Sequence, residues 1–103
     1  MRRINWHETV LYGIFVRQIL ANYAVVLDGV TQIVPVDSRA NRLVIMNNSS
    51  SPIYLGADSN VNEANGFPIL PNDVVMFSFI PGVSNLVLYL YGRGQEIRVL
   101  ELW

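Results

Sequence analysis

Apolar residues along this chain fall into short runs broken by glycine, proline, asparagine, aspartate and serine, a pattern that predicts strands rather than helices. Tyr23 to Leu27 is a β-branched run ending at Asp28-Gly29, a strong hairpin signal, and Val30 to Val36 follows it. Pro35 confines that end to a strand edge or exit. Arg42 to Met46 carries Leu-Val-Ile-Met, the continuous apolar run expected of a strand buried on both faces. Asn47 to Pro52 reads as a loop, and Ile53 to Leu55 as a strand closed by Gly56. Ala57 to Asn65 reads as a polar loop too poor in apolar residues to pack. Gly66 to Leu70 and Asp73 to Ile80 are the next runs, turned at Pro71-Asn72, and Pro81-Gly82 is another turn. Leu86 to Tyr91 and Glu96 to Leu102 form a final pair joined by Gly92-Arg93-Gly94. In the last strand Ile97, Val99 and Glu101 share one face, and Arg98, Leu100 and Leu102 share the other. Seven to nine short strands at about ten-residue spacing predict an all-β fold, a small antiparallel β-sandwich or jelly-roll-like barrel.

The segment from Glu8 to Ala21 breaks the rhythm. Val10, Leu11, Ile14, Phe15 and Gln18 fit one face of a helix, while Val10, Tyr12, Ile14 and Val16 fit an alternating strand. Gly13 and the β-branched residues favour the strand. The segment is apolar all round, as expected of one packed on two sides. The expected organisation is an N-terminal apolar arm or first strand over 1–21 and a β-sandwich domain over 22–103. Trp6, Val10, Ile14, Phe15 and Ile19 are the expected assembly-interface residues of that arm. On this view, deleting residues 1–20 leaves a folded domain that no longer assembles.

Composition sharpens the picture. The chain has 103 residues, enough for one domain with a modest core. It has no cysteine, which excludes disulfides and thiolate metal sites. Its seven cationic side chains are all arginine, against eight carboxylates, so nothing in the charge favours nucleic acid. Lysine is missing and charged residues make up only 15% of the chain, below the roughly 25% usual in soluble domains. Apolar surface covered by partner subunits accounts for both features, so a homo-oligomer is expected. A bilayer span is not, because Arg17, Gln18 and Asn22 interrupt the longest apolar stretch. Met1-Arg2-Arg3 faintly resembles the start of a signal peptide, but His7, Glu8 and Arg17 break that pattern.

Candidate chemistry is sparse. The one histidine, His7, has only Glu8 beside it, and neighbours on a strand point to opposite faces. No nucleophile elbow or phosphate loop occurs, and Ser49, Ser50 and Ser51 have no second histidine to activate one of them. Asp58-Ser59-Asn60-Val61-Asn62-Glu63 alternates oxygen donors as calcium loops do. Glu63, however, stands where that loop needs glycine, and Ile69 where it needs glutamate. No enzyme activity, metal or cofactor is expected. Tyr89 and Tyr91 share one face of a strand, where their rings would stack on a sugar if the domain were a carbohydrate-binding module.

One stretch resembles a known group. Gln32 to Leu55 contains an arginine-led apolar strand, Arg42-Leu43-Val44-Ile45-Met46, then Asn47-Asn48-Ser49 and Ile53-Tyr54-Leu55-Gly56. After a polar loop come Asn65-Gly66-Phe67-Pro68-Ile69-Leu70 and the turn Pro71-Asn72-Asp73, and the chain finishes on Glu96-Ile97-Arg98-Val99-Leu100-Glu101. This pattern resembles a group of small tailed-bacteriophage virion proteins over about two-thirds of the chain, from Val30 onward. The resemblance implies a structural part of a virus particle, in head decoration, head–tail connection or the tail. Its expected partners are copies of itself and other virion proteins. Most members have glycine where Asn72 stands, a change the backbone should tolerate.

Overall fold

A computed structural model describes the backbone of residues 2–4 and all of residues 18–81 and 86–103. Every regular element among them is a strand: β1 (Arg2–Ile4), β2 (Ile19–Ile33), β3 (Arg42–Asn47), β4 (Ile53–Gly56), β5 (Phe67–Ile69), β6 (Val74–Ser78) and β7 (Leu88–Leu102). All pairings are antiparallel. The all-β expectation holds.

β7 organises the sheet. One of its edges pairs with β2 from Ile33↔Leu88 to Ile19↔Leu102. Its other edge is shared: Tyr89–Tyr91 pairs with β4, and Ile97–Leu102 pairs with β3. β3 continues to β6 and β1, and β4 continues to β5, so two wings hang from one long β2–β7 ladder. A straight strand of this length would reach about 50 Å. The molecule's longest extent is 36 Å, so β2 and β7 must bend.

Two expectations are corrected at that bend. Asp28-Gly29 is not a hairpin turn, and Gly92-Arg93-Gly94 does not join two strands. β2 and β7 each continue unbroken through this point, with Asp28 opposite Arg93 and Gly29 opposite Gly92. The register slips by one residue between Val26↔Glu96 and Asp28↔Arg93, which places one extra residue in β7. Gly29 and Gly94 hold φ of 82° and 89°, values open to glycine. The turn-forming residues thus supply a bulge that folds the ladder over, because both flanks find longer partners across the sheet than in a local hairpin.

The bulge also explains the core. In β7, Leu88 and Leu90 point inward before it, and Ile97 and Val99 after it, a switch from even to odd positions. β2 keeps Tyr23, Val25, Leu27 and Ile33 on the inner side throughout. Leu43, Ile45 and Val75 of one wing meet Ile53, Ile69 and Leu90 of the other in one cluster, the centre of a small sandwich. β3 lies between β6 and β7, and Leu43, Val44 and Ile45 are all buried, as its unbroken apolar run predicts. Val44, Met76 and Leu102 form a second cluster on the opposite face of the first wing, with Val74 and Leu100 against it.

The loops are held by buried polar side chains. Asn47 is fully buried. Its Nδ2 donates to the carbonyls of Ser51 and Ile69, both at 2.9 Å, and its Oδ1 accepts from Ser49 Oγ at 2.7 Å. Its backbone carbonyl accepts from Asn72 N, so one residue ties the 48–52 loop, the end of β5 and the proline turn together. Asn72 has φ 65°, which asparagine tolerates better than most residues. The 57–66 loop does pack, against expectation. Val61 is buried, and it occupies the space that a Cβ on Gly56 or Gly66 would fill.

Candidate functional site

Outward positions of the second wing collect the tyrosines. With Leu88 and Leu90 inside, Tyr89 and Tyr91 must face out, and register places Tyr91 between Val30 of β2 and Tyr54 of β4. Tyr54 in turn faces Pro68 of β5. Tyr89 lies between Gln32 and Gly56, where the Val61 loop folds in beside it. The shared face expected for Tyr89 and Tyr91 is therefore present. Tyr54, which the apolar pattern of its strand gave no reason to single out, joins them through cross-strand register.

The rings form a tilted corner. The Tyr54 and Tyr91 centroids lie 6.5 Å apart with planes at 49°. Gln32 Nε2 donates to the Tyr89 hydroxyl at 3.2 Å, and Arg93 Nε donates to the Tyr91 hydroxyl at 2.8 Å. The Arg93 guanidinium lies 6.0 Å from the Tyr91 ring centre. The hydroxyl bond raises the Arg93 pKa above its ordinary value, and the charges of Glu63 and Asp28 act in the same direction. Three half-exposed phenol rings beside one fixed cation can take an apolar ring face and its flanking hydroxyls.

The oxygen-rich loop spends its side chains on itself. Asp58 Oδ1 accepts from Asn60 N, and Asn65 Oδ1 from Asn62 N. Asn62 Oδ1 accepts from Ala64 N and Asn65 N. These oxygens cap backbone donors, as Asx turns do. No cluster of three acidic or imidazole side chains that could hold a metal occurs among the described residues.

A second surface lies along β2. Tyr23, Val25, Thr31, Gln32, Ile33, Val34 and Val36 line an open concavity of about 340 Å³ on the inner side of the bend. At its end, buried Glu101 closes the 34–37 segment: both its oxygens accept from Val36 N, at 2.9 and 3.0 Å, and Oε1 also from Asp37 N at 2.9 Å. Glu101 shares the inner face of Ile97 and Val99, the face expected for it, and its partners are loop amides that no periodicity reveals. Of the expected interface residues, Ile19 stands exposed at the start of β2, while Trp6, Val10, Ile14 and Phe15 lie outside the described residues, as does His7. No helix among the described residues is long and apolar enough to cross a membrane. Compared with protein-family models, curated proteins and solved structures, the chain matches none.

Proposed function

We propose that the chain is a structural component of a bacteriophage particle, a head-decoration, head–tail connector or tail protein, acting through subunit–subunit contacts. The resemblance from Val30 onward carries this reading. What supports it physically is a surface poorly suited to standing alone in water. Ile19, Val26, Val36 and Ile80 are 56%, 65%, 75% and 63% exposed in a chain without lysine. The residues of the resemblance also do structural work: Asn47 and Asn72 hold loops, and Arg42–Met46 is the buried strand. No enzymatic role is proposed. The test is the mass in solution by light scattering at several concentrations, with electron microscopy of the product. A defined dimer, trimer, ring, tube or larger shell is expected, and a strict monomer throughout would overturn the reading.

A second reading follows from the tyrosine face: a carbohydrate-binding module, used in glycan adhesion. Its test is a glycan array. Binding that disappears in Tyr89→Ala or Tyr91→Ala would favour it, and a blank array with the folded protein would dismiss it.

A further inference from the structure

We propose that the outer edge of β2 pairs with the same edge of a second copy of the chain, in an antiparallel ladder about a two-fold axis. The proposal rests on the assembly reading above and gives that assembly a contact surface. Among the described residues β2 pairs with β7 alone, so alternate backbone N–H and C=O groups along its other side point outward. The partner that matches such a row is another extended backbone. Proteins that keep a long edge free blunt it with lysine, proline or inward charges. Ile19–Ile33 contains no lysine, arginine or proline, and Asp28 is its single charge. Exposed Ile19, Val26 and Val30 stand along it instead.

The chemistry of β2 favours a second copy over an unrelated strand. A two-fold pairing consumes both open edges at once, whereas a foreign strand would cover β2 and present its own far edge. A strand with one charge offers little for an acidic or basic partner to recognise, and two copies repel only weakly. In registers that keep the same positions on one face, Tyr23, Val25, Thr31 and Ile33 of each copy extend the other's inner face beside the concavity. Pairing along one arm of the bent strand, about seven residues, already equals an ordinary strand in length.

The natural absence of cysteine makes the test direct. Single cysteines placed in the full chain at Asn22, Ala24, Val26 and Val30 are treated with a short bis-maleimide, with Asp58→Cys in the loop after β4, off the β2 edge, as control. Residues opposite one another in an antiparallel ladder lie about 5 Å apart, so at least one β2 position should cross-link several-fold more than the control. In a dilution series, Val26→Lys with Thr31→Lys should weaken association about tenfold, since like charges then meet across the ladder. If that variant fails to fold, the cross-linking scan decides alone. An oligomeric wild type with no excess cross-linking along β2 would overturn the edge and leave the assembly reading standing. A wild type that is monomeric throughout would overturn both.

Discussion

The two wings share one core yet present opposite outer faces, although the same strand builds the middle of each. On the first wing the outward positions of β3, β6 and the C-terminal arm of β7 include Val44, Met76 and Leu102, apolar and buried, with Ser78 and Arg98 exposed beside them. On the second wing the outward positions of β4 and the N-terminal arm of β7 include Tyr54, Tyr89 and Tyr91, all half-exposed, with the Tyr89 and Tyr91 hydroxyls hydrogen-bonded. One inserted residue sets which positions of β7 face outward in each wing. Were β7 to keep its parity through Gly94, its apolar positions on one side of the bend would turn outward. A bulge therefore decides which half of a period-two pattern becomes core and which becomes surface.

Truncation should expose this contrast most clearly. Ile45→Ala removes a fully buried side chain from the shared core, and about 3 kcal/mol of unfolding free energy should be lost in urea titration. Tyr91→Ala, on the outer face of the second wing, should cost about 1 kcal/mol or less. Equal losses would mean that the tyrosine face is as tightly packed as the core, and the distinction between the wings would collapse.

Asn47→Ala should come next, at about 2 kcal/mol, because the carbonyls of Ser51 and Ile69 lose their donor inside the protein. The loss should appear with faster amide exchange in the 48–52 loop and at Asn72. An unchanged exchange pattern would show that the asparagine does not tie those segments together.

Much of this was written in the chain. Strand positions from Arg42 onward follow from run length and turn residues, and β3 announced its double burial through unbroken apolarity. The two long strands did not, because Asp28-Gly29 and Gly92-Arg93-Gly94 carry the chemistry of turns. Glycine at positive φ serves a hairpin and a bulge equally well, and only the partner strand, some sixty residues away, decides between them. Tyr54 was hidden for the same reason, since cross-strand neighbours depend on register. Val61 was hidden because a single valine in a polar loop has no period.

Gly94→Ala probes that bend. Alanine has open space there but must adopt φ near 89°, so about 1–2 kcal/mol should be lost by backbone strain alone. Both wings should loosen together in amide exchange, since both hang from the same ladder. Loss confined to one wing would show that the bulge shapes that wing only.

Tyr23 offers the smallest effect and the most selective one, since it is an inward tyrosine to set against the three outward ones. Burial, the negative charge of Glu101 and a hydrogen bond to that carboxylate all raise its phenol above the ordinary value near 10. The native state therefore favours the neutral phenol, and that contribution is complete below pH 10. It is lost as pH rises through the native value, because the unfolded chain then ionises more readily than the folded one. Tyr23→Phe has no proton to lose. The wild type should exceed the variant by a constant margin in denaturant unfolding below pH 10, and the margin should shrink above it. A margin that stays constant up to about pH 12 would mean that neither burial nor Glu101 raises the phenol in the folded protein.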